Sequence, residues 1–220
     1  MVSFKELTVS ISPELRQFGV KVKIAIFANA NIVNRVTALE NHMKEIIGGI
    51  KEIDVSENLI LEAYRELHTI SKVKGFLPPA KSLIELIKKN NRLPNINSVV
   101  DAYNIVSAET FLSIGAHDLD KIKGDLIFKF AEGNEFYIPL GEDEPQKVNK
   151  GEYVCADSEK VICWLDIKQC EQTKIIKETK NYLIYIQGNK NTSDGYLNNA
   201  LKNVIENQVK LCKARLVRII

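Results

Sequence analysis

The sequence predicts a single α+β domain, on three observations. Stretches of 3.6-residue hydrophobic periodicity dominate residues 33–110, whereas residues 126–165 break into short alternating runs separated by turn residues. No internal repeat or low-complexity tract divides the chain. At 220 residues it can bury one substantial core, and its length does not require a second domain. Mixed helices and antiparallel strands then give the class.

Phe4–Ile11 and Val20–Phe27 read as strands, with Pro13 and Gly19 marking the connection between them. Val33–Ile50 is helical, because Val36, Leu39, Met43, Ile46 and Ile47 share one face, and Gly48–Gly49 closes it. Asp54–Ser71 is a second helix, with Asp54 as its expected cap. Ser82–Asn90 is a third, following the rigid Pro78–Pro79 pair. Val99, Val100, Tyr103, Val106 and Thr110 form the buried stripe of a fourth helix. Asp101, Asn104 and Ala108 lie on a neighbouring face and bring two polar groups together one turn apart.

The segment SIGAHDLDKIKG after this helix is expected to be a polar loop. Loops held between rigid elements commonly carry binding chemistry. Strands are then expected at Leu126–Ala131, Glu135–Pro139, Tyr153–Asp157 and Val161–Leu165. Ile175–Ile176 and Tyr182–Gln187 form a further pair, and 188–195 is an exposed loop. An amphipathic helix over Leu197–Leu216 closes the chain. Lys213, Arg215 and Arg218 fall in its last turn, where cations suit the helix dipole.

Composition narrows the functional classes. Hydrophobic residues make up 45% and charged residues 26%, ordinary for a globular protein. No apolar run approaches the ~20 residues needed to span a bilayer, and MVSFKELTVS lacks a signal pattern. A cytoplasmic protein with no membrane partner is expected. Cys155, Cys163, Cys170 and Cys212 are too widely spaced for a CxxC knuckle, so reduced thiols are expected, and no metal or cofactor. The net charge is only +2. Residues 161–220, however, carry ten Lys and Arg against five Asp and Glu, a mildly basic region suited to phosphate.

The region Ser98–Phe130 closely resembles the B3/B4 domain of the phenylalanyl-tRNA synthetase beta subunit. In that family a helix with a VVDxxN core leads into DLDxIxG and then a strand. Here the matching residues are Val99, Val100, Asp101, Asn104, Asp118, Leu119, Asp120, Ile122 and Gly124. The resemblance continues through Glu135–Phe136, Pro139–Gly141, Gly151–Glu152, Asp157 and Thr173–Asn181, and it covers roughly residues 93–188 of one domain spanning 1–220. It implies a layered β/β/α sandwich with helices on one side. The chain is expected to be a free-standing version of this domain that binds tRNA or an aminoacyl-tRNA end and hydrolyses mischarged aminoacyl-tRNA in trans. The alternative is a non-catalytic module for an amino acid or small metabolite.

The resemblance also places site residues. Asn104 matches the helix asparagine of the editing pocket, and Glu178 matches a glutamate that helps recognise the tyrosine hydroxyl. Tyr103 replaces the family's threonine, and Gly115 replaces the histidine of its HAFD loop. CWLDIKQC stands where the family has IMGG. The expected pocket lies between the helix, the loop Gly115–Ala116–His117–Asp118 and the segments at Lys168–Gln169 and Glu178. His117 is the candidate catalytic residue, either orienting water or holding the loop through Asp118 or Asp120. Gly115 provides positive φ or close ligand approach. Asp118 and Asp120 can cap the turn that follows, and Lys168 and Gln169 can meet a carboxylate, ribose or phosphate.

Overall fold

The protein is described by a computed structural model covering residues 7–220. The elements in order are β1 (Val9–Ile11), α1 (Pro13–Gln17), β2 (Lys21–Ala28), α2 (Thr37–Glu52), α3 (Leu59–Ile70), α4 (Pro79–Asn90), α5 (Ser98–Thr110) and β3 (Ser113–Asp118). Then follow β4 (Leu126–Phe130), β5 (Phe136–Tyr137), β6 (Gln146–Lys147), β7 (Tyr153–Ala156), β8 (Val161–Trp164) and β9 (Lys168–Gln169). The chain ends with β10 (Tyr182–Gly188), α6 (Asp194–Cys212) and β11 (Arg215–Ile219). One sheet has strand order β1-β4-β7-β8-β9 and the other β11-β2-β10-β3, while β5 and β6 pair alone. Among the described residues only β1 with β4 is parallel.

Two cores define the layers. Ala25, Phe27, Ile184 and Ile186 of the four-stranded sheet pack on α2, α4, α5 and α6. Ile24, Ile26, Leu183 and Tyr185, on its other face, meet Phe128, Val154, Ile162 and Cys163 of the second sheet. This is the α+β, β/β/α arrangement expected. Helix α5 is buried on almost every side, with Val99, Ala102, Ile105, Val106 and Ala108 at 0–1% exposure. Burial contributes roughly 1.5–3 kcal/mol for each large aliphatic side chain. The Asn97 side chain caps α5 by accepting from the Val99 and Val100 amides at 3.1 and 3.0 Å.

Several sequence expectations change. SIGAHD is strand β3, not a loop, and every residue of it is buried. Ile114 and Ala116 face the helices, whereas Ser113, Gly115 and His117 face the second sheet, so its polar side is internal. The closing helix stops at Cys212, because Lys213 takes the left-handed conformation (φ 54°). Arg215 and Arg218 therefore lie on β11, which covers the outer edge of β2, rather than in the helix dipole. Ile175–Ile176 is irregular, and α3 is capped by Asn58 instead of Asp54. Of the expected strand Phe4–Ile11, the part before residue 7 lies outside the described residues.

Candidate functional site

Among the described residues strand β3 is the outer strand of its sheet, paired only with β10, so one row of its backbone groups needs other partners. Gln169 of β9 supplies them at Ala116. Oriented by its neighbours, its amide donates to the Ala116 carbonyl at 3.0 Å and accepts from the Ala116 N–H at 3.3 Å. The buried Tyr103 hydroxyl lies beside the same Gln169 side chain. Tyr185 lies opposite Gly115 on β10, and its hydroxyl is 3.2 Å from the Cys163 sulfur. A Cβ on Gly115 would collide with the Gln169 amide and come within 2.5 Å of the Tyr185 hydroxyl. Gly115 has no positive φ. It is needed because the protein's own side chains approach it closely.

Two residues further along β3, His117 is fully buried. Its ring stacks on Tyr185, with centroids 5.6 Å apart and planes 13° from parallel. Its Nδ1 is 2.7 Å from the Thr173 hydroxyl, which also meets the Cys170 sulfur at 3.0 Å. Nε2 has no hydrogen-bond partner among the described residues. Burial, assisted by the Lys160 charge, pushes the imidazole pKa down to about 3, so the ring is neutral. The expected bonds from His117 to Asp118 or Asp120 are replaced by this one to Thr173.

Asp118 does cap the following turn, accepting from the Asp120 amide at 3.0 Å. Its other oxygen accepts from the Thr179 hydroxyl at 2.7 Å, and Thr179 in turn accepts from the Ile176 amide at 3.1 Å. Asp118 thus pins the turn that carries Glu178, but Glu178 itself is exposed. Asn104 is half-buried on α5, one position and about 100° round the helix from Tyr103. Lys168 is half-buried and forms an ion pair with Glu142.

The fold therefore gathers Tyr103, Gly115, Ala116 and Gln169 into one cluster. His117 and Asp118 form a second knot with Thr173 and Thr179. Asn104, Lys168 and Glu178 border these groups in sequence but, among the described residues, their side chains share no hydrogen bond with them. Sequence reasoning did not single out Tyr185, Thr173 and Thr179, although Tyr185 lies in the alternating run Tyr182–Gln187 and both threonines lie in the family-matched segment Thr173–Asn181. It also missed a buried network beside the site. There the Ser113 hydroxyl donates to the Asp166 carbonyl at 2.9 Å, and the Asp166 carboxylate takes Tyr153 at 2.7 Å and the His68 ring at 2.5 Å.

All four cysteines are buried and unpaired with one another. Among the described residues no helix is long and apolar enough to cross a membrane.

The model of the B3/4 domain matches residues 65–210. The phenylalanine–tRNA ligase beta subunit of Fusobacterium nucleatum is 28% identical over 184 residues, covering 82% of this chain and 22% of that protein. The Yersinia pestis subunit is 26% identical over the same extent. The chain thus spans 22% of the length of these relatives. A solved N-terminal fragment of the phenylalanyl-tRNA synthetase beta subunit from Pyrococcus horikoshii superposes with a TM-score of 0.54 at 17% identity. That likeness covers 98% of this chain and 52% of the fragment. With two sheets and a helical layer in place, and the family model matched from α3 into α6, this chain belongs to the B3/4 domain family.

Proposed function

We propose that this chain recognises the aminoacyl end of a tRNA at the Gly115–Ala116 edge of β3, without hydrolysing it. The observation that carries this reading is the Gln169 amide seated on the Ala116 N–H and carbonyl. Gln169 is half-buried on a strand of two residues, so a ligand can take its place at modest cost. The α-ammonium of an aminoacyl group suits the Ala116 carbonyl, and its ester carbonyl suits the N–H. With no Cβ at Gly115, a group that takes the place of the Gln169 amide can approach the strand as closely as that amide does, and the Tyr103 hydroxyl offers a further polar contact. Asn104 and Lys168 adjoin Tyr103 and Gln169 in sequence, and exposed Lys177, Glu178 and Lys180 lie on the turn pinned by Asp118.

Ester hydrolysis needs a placed water and a base within reach of it. His117 supplies neither while its ring is enclosed, with Nδ1 held by Thr173. The tRNA class itself is carried over from the synthetase relatives, and the mildly basic C-terminal region suits phosphate contacts. Filter binding with aminoacylated and deacylated tRNA tests the proposal. Tighter binding of the aminoacylated form, weakening as salt rises, is expected, and Gln169→Ala is expected to strengthen it. Equal affinity for the two forms overturns it.

A further inference from the structure

A cavity of about 670 Å³ lies in the helical layer, between α2, the connection 91–95 and the first turn of α5. Leu39, Met43 and Ile47, one turn apart on α2, give it an apolar wall that Leu93 completes. Asp101 lines it from α5 and is only 5% exposed. Its carboxylate accepts from one donor among the described residues, the Ile96 amide, at 3.0 and 3.3 Å to the two oxygens. A carboxylate has about four acceptor sites, so most of its capacity is unused. Burial raises its pKa to about 6, offset in part by the Ile96 amide. At the mouth, Arg35, Lys44 and Arg92 are exposed, and among the described residues only Arg35 is paired, through its Nε to Glu40 at 2.7 Å.

We propose that this cavity binds a small ammonium carboxylate with an apolar body. The ammonium meets Asp101, the body lies along Leu39, Met43 and Ile47, and the carboxylate meets the Arg92 and Lys44 side of the mouth. The volume falls within the range of small-molecule sites, roughly 300–1,000 Å³. The buried carboxylate selects for a cation, and the cationic mouth selects against a simple amine. The apolar wall between them selects for a ligand that carries both charges on a hydrocarbon frame. Capping the Ile96 amide accounts for only one donor at the Asp101 carboxylate. The cavity is separate from the Ala116 edge, since Asp101 and Tyr103 project about 200° apart around α5.

Calorimetric titration of the full chain with L-leucine and L-leucyl-L-leucine tests the proposal, with N-acetyl-L-leucine and 3-methylbutylamine as controls. At least one zwitterion is expected to bind, with acetylation of the amine or removal of the carboxylate weakening binding about tenfold or more. Asp101→Asn, which keeps an acceptor for Ile96, is expected to weaken it similarly. Arg92→Glu, an exposed change that leaves the fold intact, is expected to weaken it several-fold. No heat with either zwitterion at 10 mM overturns the proposal. So does equal binding of the acetylated control, or undiminished binding by Arg92→Glu.

Discussion

Replacing His117 with phenylalanine isolates the consequence of burying a neutral imidazole. In the unfolded chain the ring titrates near 6.5, whereas in the fold its pKa is about 3, chiefly because burial disfavours the charge. Between these values the unfolded state binds more protons, so the native state loses stability as pH falls. The loss is about 1.4 kcal/mol per pH unit, or about 2 kcal/mol between pH 6.5 and 5. His117→Phe keeps a ring against Tyr185 but deprives the Thr173 hydroxyl of one partner. That costs about 1–3 kcal/mol and is the same at every pH. Urea unfolding of both proteins at pH 7.5 and pH 5 separates the two effects. The wild type should lose about 2 kcal/mol more than the variant over that interval. Parallel pH dependences, or an NMR titration of the His117 ring near 6.5, would refute the reasoning.

Gly115→Ala should destabilise by about 1–3 kcal/mol through overpacking against Gln169 and Tyr185, measured by chemical unfolding. Coupling it to Gln169→Ala should recover part of that loss, which a double-mutant cycle would register. Asp166→Ala leaves His68 and Tyr153 buried without their shared acceptor and should cost about 3–5 kcal/mol, lowering the urea midpoint. Asn97→Ala removes the acceptor for two first-turn amides of α5 and should cost about 1 kcal/mol by the same assay.

The helices were legible because their apolar stripes repeat every three to four residues and because Pro79 opens α4, but Gly48–Gly49, expected to close α2, lie inside it, and the helix runs on to Glu52. The layering followed from the resemblance carried by the VVDxxN helix and DLDxIxG. Strand β3 escaped because alternation usually places polar residues in water, whereas Ser113 and His117 face a second sheet. Strand β11 escaped because the helical spacing of Val209, Cys212 and Leu216 continues past the real end at Lys213. Tyr103 was identified as a substitution at the site, but its partner was not. The Gln169–Ala116 pairing is non-local, and His117 meets Thr173 across 56 residues. Such contacts leave no periodic trace in the chain. Glu178, matched by family position, is exposed, since only its neighbour Thr179 reaches Asp118.

Single-turnover incubation of the full chain with a panel of correctly and wrongly aminoacylated tRNAs, scored for both complex formation and ester cleavage, addresses recognition without turnover most directly. The expected result is complex formation favouring aminoacylated tRNA, with cleavage at the spontaneous rate for every ester. Accelerated cleavage of any ester that disappears in His117→Ala would contradict the account, because it would require the imidazole to leave Thr173 and reach the substrate.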